Sequence, residues 1–260
     1  MPCYSCTRNA NSKSNKLNLR LRMVIHVKPN RRCSLTDSSQ TDALTEAARH
    51  EVEASPAVRF AKRSVDLVGS ICGLIALSPL LIPIALAIRL DSPGPALFRQ
   101  LRIGRGSPVK TELFEMIKFR TMYTDADKRT GAVWASKDDP RITKVGNILR
   151  KTRLDELPQL WNVLKGEMSL IGPRPEQLGL FGKLEREVPF YAERVYGVRP
   201  GITGYAQVEV GYDTSIEDVR NKILHDFAYA LSLRDLWSWI KMDTFIIWQT
   251  FLAVIGRKGQ

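Results

Sequence analysis

The sequence predicts a helix-rich α+β protein: a re-entrant membrane helix–break–helix attached to a cytoplasmic globular domain with short strands and interfacial helices. Three observations carry that prediction. Val65 to Leu90 is almost uninterruptedly apolar, yet Ser78-Pro79 sits at its middle and Pro83 follows. Basic residues flank the run on both sides, with Arg59, Lys62 and Arg63 before it and Arg89, Arg99, Arg102 and Arg105 after. Beyond it, short strand-like segments alternate with amphipathic helical ones.

Residues 1–58 are polar and basic, and are expected to form a variable, mostly disordered segment. Leu17 to Val27 holds a short apolar patch readable as a weak strand, and Thr41 to Ala54 as a short helix. No apolar h-region marks a cleavable signal peptide. Cys3 and Cys6 form one C-x-x-C without a second pair, so neither a zinc site nor a disulfide framework is expected. Cys72, inside the apolar run, reads as a small buried hydrophobe.

Residues 59–90 are assigned to the membrane. As one straight helix, Val65 to Leu90 would be roughly 39 Å long, enough to cross a hydrocarbon core of about 30 Å. A proline removes a helical donor and clashes with the turn before it, so the helix is expected to break at Ser78-Pro79. Each leg of roughly 20 Å is then too short to cross. A spanning helix shows a one-sided excess of Lys and Arg. Symmetric flanks fit a hairpin with both ends on the cytoplasmic face.

Residues 91–260 form the expected cytoplasmic domain. Leu97 to Arg102 and Glu112 to Met122 read as strands, with Gly104 and Gly106 in a turn between them. Lys118 and Arg120, two apart, would share one strand face. Thr124 to Asp139 reads as a loop and Arg141 to Lys151 as a short helix. Thr152 and Asp155 resemble a capping box for a helix carrying Leu157, Leu160, Trp161 and Leu164, with Gly166 as its stop. Leu178 to Tyr196 is amphipathic and breaks near Pro189. Val198 to Val208 reads as a tight turn entering a strand, and Ser215 to Ser232 as a helix capped by Ser215, with His225 in a structural role. The tail mixes Trp237, Trp239 and Trp248 with Lys241 and Asp243, which suits an interfacial helix.

The net charge of +12 suits nucleic acid, anionic lipid or phosphorylated substrates. No basic stretch interleaved with aromatics is present, so nucleic acid ranks last. The densest chemistry lies between Arg150 and Glu176. There the adjacent acids Asp155 and Glu156 sit among Arg150, Lys151 and Arg153, followed by Arg174 between two prolines. Carboxylates bind a hard cation or attack an electrophile, and arginine forks match phosphate oxygens. By itself the pair also reads as a helix cap with a solvated first-turn neighbour.

Asp-Glu-Leu-Pro-Gln at residues 155–159, Gly-Pro-Arg-Pro at 172–175, Lys-Phe-Arg-Thr-Met at 118–122 and Arg-Pro-Gly-Ile-Thr-Gly at 199–204 resemble the bacterial sugar transferases. These are monotopic polyprenyl-phosphate phosphoglycosyl transferases, and the likeness runs from about Phe60 to the C-terminus. It implies transfer of a sugar-1-phosphate from a UDP-sugar to polyprenyl (undecaprenyl) phosphate with release of UMP, opening exopolysaccharide, O-antigen or glycan assembly. By that resemblance Asp155 is the nucleophile of a ping-pong reaction; placed at or near a helix N-terminus, whose dipole favours negative charge, it is expected to stay ionised at neutral pH. Asp155 and Glu156 hold Mg2+. Lys118, Arg120, Arg150, Arg174 and Arg199 meet phosphates, and Gln207 reaches the nucleotide. Ser78 and Pro79 form the membrane break, and the site lies on the cytoplasmic face of the bacterial inner membrane among membrane lipids. Homo-oligomerisation is left open. The rival readings are a catalytically inactive membrane scaffold or regulator, and a nucleic-acid-binding protein with an incidental apolar helix.

Overall fold

In a computed structural model, the structure describes residues 24–25, 54–107, 110–124, 126, 139–211 and 216–256. The apolar run forms one helix, α1 (Pro56–Asp91), with Pro56 in its first turn and the Ser55 side chain accepting from Val58 N–H. The expected separation into two helices is not observed, because α1 continues through Pro79 and Pro83. The local bonding explains how. Pro79 lacks the N–H that would reach the carbonyl four residues back, at Ile75. The Ser78 hydroxyl donates to that carbonyl instead, at 2.8 Å.

The first third of α1 is anchored in the globular core. Val58 packs with Ile171, Val198, Tyr229, Trp239 and Ile246. The Arg63 guanidinium donates to the carbonyls of Val163 and Leu164 at 2.7 and 2.8 Å. Asp66 is buried and accepts from the Ser169 hydroxyl and the Leu170 N–H. The far end is anchored as well. Ile88 packs on Ala96, Phe119 and Leu149, with Leu81, Ile84 and Ala85 around them, and Asp91 accepts from Val145 N–H. Between these anchors Ser78, Pro79 and Leu80 are all exposed. Cys72 is exposed too, against expectation, because its face of α1 points away from the domain.

Strands β2 (Leu97–Ser107) and β3 (Lys110–Phe119) form an antiparallel hairpin, and β1 (Val24–Ile25) pairs with the other edge of β3. Both hairpin strands extend closer to their turn than the sequence suggested. Gly104 and Gly106 lie within β2, at a register shift between Ile103 and Gly106, so they bulge a strand rather than form a loop. Apart from Val24 and Ile25, which do pair as a strand, the expectations for residues 1–53 lie outside the described residues, as do those for most of 124–139 and for Ser215.

After the hairpin come α2 (Lys144–Thr152), capped by Thr143, and a 3-10 turn at Leu154–Glu156. Then follow α3 (Gln159–Lys165), β4 (Ser169–Ile171) and α4 (Leu178–Glu187). A second 3-10 turn, Ala192–Val195, follows the predicted break near Pro189 and leads to β5 (Gly201–Thr203), which pairs in parallel with β4. The chain then enters a short helix, α5 (Tyr205–Glu209), where the sequence suggested a strand. Helices α6 (Ile216–Ser232) and α7 (Leu236–Ile255) complete the fold.

Helix α7 buries Trp239, Asp243 and Ile246 against α1 and α6. Asp243 accepts from Lys62 Nζ at 3.1 Å and from Trp239 Nε1 at 2.7 Å, and meets the Tyr229 hydroxyl at 3.0 Å. A carboxylate with this many donors can be buried without a large desolvation cost. The rest of α7 exposes Trp237, Phe245, Ile247, Trp248, Phe251 and Leu252. His225 bonds the Asn221 carbonyl on its own helix and packs edge-on against Tyr205, a structural placement.

Candidate active site

The Asp155-Glu156 pair is built by an abrupt local stop. Helix α2 runs through Thr152, whose hydroxyl donates back to Ile148 and Leu149 carbonyls, so Thr152 is not the cap of the following helix. Arg153 then takes a left-handed conformation (φ 59°), which ends α2. Leu154, Asp155 and Glu156 form the 3-10 turn, and Pro158 opens α3. The capping-box expectation therefore fails: both acids precede α3, and neither makes a side-chain cap bond to it. Both are buried, at 8% exposure each.

Two arginines reach Glu156. Arg174 Nη1 lies 3.1 Å and Arg153 Nη1 3.8 Å from Glu156 Oε1. Asp155 sits in the field of Lys118, Arg174 and Arg150. Burial, and next the Glu156 charge, push its carboxyl up to about 6. The carboxyl is then still about nine-tenths ionised at pH 7, though burial works against the helix-end stabilisation expected for it. Lys118 is half-buried, and burial with the Arg102 charge pulls its ammonium down to about 8.

Arg174 is held by the backbone on which it sits. Gly172 N–H donates to Thr203 O, and Gly201 N–H to Pro173 O, both at 2.9 Å. A Cβ on Gly172 would lie 2.3 Å from Arg199 O, so only glycine permits this approach. On either side of the loop a buried arginine grips the chain. Arg102 donates to Pro175 O at 3.1 Å and Arg194 to Arg174 O at 3.0 Å. Arg194 also pairs with Asp226 at 2.9 Å and donates to the Tyr191 hydroxyl, which itself donates to Glu176.

The structure thus brings Lys118, Arg150 and Arg174 together around Asp155 and Glu156. It does not bring Arg120 there. That residue follows the end of β3, and its guanidinium turns to the carbonyls of Ile88, Ser92 and Pro93, closing the C-terminus of α1. Sharing a face with Lys118 required an extended backbone that ends at Phe119. Arg199 is also elsewhere: its strongest electrostatic neighbours are Arg63, Arg105, Asp66 and Glu112, at the foot of α1. Gln207 lies on α5 and lines a cavity that it shares with Arg174. Sequence reasoning missed Arg102, Arg194 and Asp226. They lie at long sequence separation, and a buried clamp has no local signature.

Among the described residues no three metal-ligating side chains gather. Asp155 and Glu156 offer two carboxylates, a number Mg2+ uses when substrate phosphates supply further oxygens. Burial first, and the Glu156 charge second, raise the Asp155 carboxyl, and a divalent cation would offset both. The residues fit the metal.

Comparison with known proteins identifies the family. The family model described as bacterial sugar transferase matches residues 57–257. A UDP-N-acetylgalactosamine-undecaprenyl-phosphate N-acetylgalactosaminephosphotransferase of Aeromonas hydrophila is 41% identical over 226 residues, which is 87% of this chain and 51% of that protein. An undecaprenyl-phosphate glucose phosphotransferase of Komagataeibacter xylinus is 42% identical over 76% of this chain and 36% of its own length. An exopolysaccharide production protein of Rhizobium leguminosarum bv. phaseoli is 41% identical over 75% of this chain and 96% of its own. The chain thus spans about half the length, or less, of the first two relatives. A model match over 201 of 260 residues, falling on the segment that builds α1 and the Asp155-Glu156 cluster, decides the family: the chain belongs to the bacterial sugar transferases.

Proposed function

We propose that this protein is a membrane-bound phosphoglycosyl transferase that moves a sugar-1-phosphate from a UDP-sugar to undecaprenyl or a related polyprenyl phosphate, releasing UMP. The observation that carries the reading is a buried carboxylate, Asp155, ringed by Lys118, Arg150 and Arg174 with a second carboxylate beside it. The relatives' names, which join undecaprenyl phosphate to sugar-phosphate transfer, support the substrate classes. A scaffold needs no such buried charge cluster, and exopolysaccharide, O-antigen or glycan assembly is the setting in which the product is used.

Asp155 Oδ attacks the sugar-side phosphorus of the diphosphate. The P–O bond to the nucleotide's own phosphate breaks, UMP departs with that electron pair, and a sugar-phosphoryl–Asp155 mixed anhydride remains. An oxygen of polyprenyl phosphate then attacks the same phosphorus and returns Asp155 as a carboxylate. Because attacker and leaving group are both anionic oxygens, no general base is needed in either half. Lys118, Arg150 and Arg174 meet the charge that grows on the phosphoryl oxygens. Glu156 holds Arg174 in place, and together with Asp155 would bind Mg2+, which when present offsets diphosphate charge.

Helix α1 supports a re-entrant rather than spanning topology. Its Arg63 end bonds the last carbonyls of α3, and its Asp91 end bonds the first turn of α2. Those two helices bracket the 3-10 turn of Asp155, so both ends of α1 belong to one side of the bilayer. The exposed Ser78-Pro79-Leu80 segment enters the hydrocarbon, and the tryptophans of α7 lie at headgroup depth. The symmetric basic flanks support a cytoplasmic position for that side.

The test is intact-protein mass spectrometry after incubation with Mg2+ and UDP-sugars, without acceptor. A sugar-phosphate adduct on the Asp155 peptide, absent in Asp155→Asn, is the expected result. UMP release that requires both substrates together, with no adduct, would replace the covalent route by direct in-line transfer.

A further inference from the structure

A cavity of about 30 Å³ opens beside Arg174, between the 172–177 loop, α5 and α6. It has room for about two waters. That is too small for a sugar ring or a nucleobase, and the right size for a substituent of a few heavy atoms. Most polar groups in its wall already satisfy one another: Arg194 with Asp226 and Tyr191, and Tyr191 with Glu176. Two do not. Gln207 Oε1, an acceptor, and Arg194 Nε, a donor, are both buried and lack a hydrogen-bond partner. The Gln207 amide is oriented by its Nε2, which donates to Ile202 O at 3.4 Å. Lys222 also lines the cavity and has interactions of its own, and the rest of the wall is apolar, from Ala206, Val219 and Ile223.

A buried orphan donor and a buried orphan acceptor each cost free energy unless a ligand or water meets them. One lone acceptor, one lone donor and an apolar patch of wall in a space of two waters match a secondary amide bearing a methyl group. Its N–H would meet Gln207 Oε1, its carbonyl would meet Arg194 Nε, and its methyl would lie on Val219 and Ile223. Arg174 lines the cavity and also pairs with Glu156, so an occupant would be attached to the group being transferred at Asp155.

We propose that this cavity receives the acetamido group of an N-acetylhexosamine, making the donor a nucleotide-linked N-acetylhexosamine rather than a plain hexose. The inference rests on the transferase reading of the same site. It makes Gln207 a specificity residue for the sugar, in place of the nucleotide contact expected from the sequence.

The experiment measures kcat/KM for UMP release by the full chain in detergent, with Mg2+ and polyprenyl phosphate. The four donors are UDP-N-acetylglucosamine, UDP-N-acetylgalactosamine, UDP-glucose and UDP-galactose. The better acetamido donor should exceed the better plain donor by at least about tenfold, the scale set by leaving a buried donor or acceptor unpaired. Gln207→Leu, which removes the acceptor, and Ile223→Phe, which fills the cavity, should each shrink that ratio to less than about threefold by slowing the acetamido donors. A plain hexose used as well as the acetamido sugars by the unaltered chain overturns the inference and leaves the transferase reading standing. A ratio that survives both substitutions places the acetamido group elsewhere and overturns the cavity's role. No UMP from any of the four donors, with the protein monodisperse, removes the transferase reading and this inference with it.

Discussion

Asp155 and Lys118 set opposite limits on activity. Asp155 must be ionised to attack, and its carboxyl is raised to about 6, so turnover should fall as pH drops through that value. Lys118 must be charged to meet phosphate, and its ammonium is lowered to about 8, so turnover should fall as pH rises through that value. A bell-shaped profile of kcat/KM with a maximum near neutrality is expected, its limbs belonging to the coupled cluster rather than to either group alone. A profile flat from pH 5 to 9 would contradict it. The same burial has a stability consequence. A carboxyl whose folded pKa is raised above its unfolded 3.8 favours the folded state fully below about 4, and that contribution is lost as pH rises through about 6. Asp155→Asn should therefore raise stability at pH 7.5 by on the order of 3 kcal/mol, about two pKa units at roughly 1.4 kcal/mol each, and change little at pH 4. Thermal melts in chelator at both pH values check this. Asp226→Asn acts on position instead. It leaves the Arg194 cation buried and half-paired, so a loss of about 3 kcal/mol is expected together with a displaced Arg174. Its kcat/KM for donors should fall at least about tenfold under conditions where circular dichroism shows it folded; unchanged kinetics would show that Arg174 does not depend on the clamp.

Helix α1 is the element whose sequence and structure differ most instructively. The two prolines forecast a break. The structure instead keeps one helix, with the Ser78 hydroxyl taking over the Ile75 carbonyl that Pro79 abandons. What makes the helix re-entrant, on this account, is its anchoring at both ends: Arg63 and Asp66 at one, Ile88 and Asp91 at the other. Reporters placed ahead of Ala54 and after Gln260 should both read as cytoplasmic. Opposite readings would mean that α1 spans. Pro79→Leu restores a backbone donor and should push some molecules toward spanning, which protease protection of the N-terminal reporter would reveal. Arg63→Ala removes the donors to Val163 and Leu164 carbonyls, and should loosen α3 more than α7, as hydrogen exchange would show.

At the scale of the whole molecule, three polar links tie α1 to the elements around the acid pair. Asp66 bonds the strand that leads into Gly172 and Arg174, Lys62 joins the Asp243–Tyr229 network, and Arg63 closes the helix that follows the acids. Every described catalytic candidate lies between Lys118 and Asp226, and of the described residues before Ala54, Val24 and Ile25 pair with Glu112 and Thr111. A chain beginning at Ala54 should retain most of its UMP release in detergent, within about threefold, since loss of so short an edge strand costs little packing. Near-complete loss in a folded protein would give the N-terminal segment a part in the site.

The sequence by itself determined what is local. The apolar run with its Ser-Pro pair, the Asp155-Glu156 doublet, the stop at Gly166 and the break near Pro189 depend on intrinsic preferences of a few consecutive residues, so they could be read directly. Residue order also delivered the family through short spaced motifs. Tertiary structure alone decided which cations serve the acids. Lys118 and Arg120 are neighbours in sequence, yet one faces Asp155 and the other closes α1, because the strand ends between them. Arg194 and Arg102 carry no local sign of a role, and become the clamp on Arg174 only when elements about 20 to 75 residues apart are packed together. The cavity behind that clamp is likewise a product of packing, since its orphaned donor and acceptor exist only once every other polar group in the wall has found its partner.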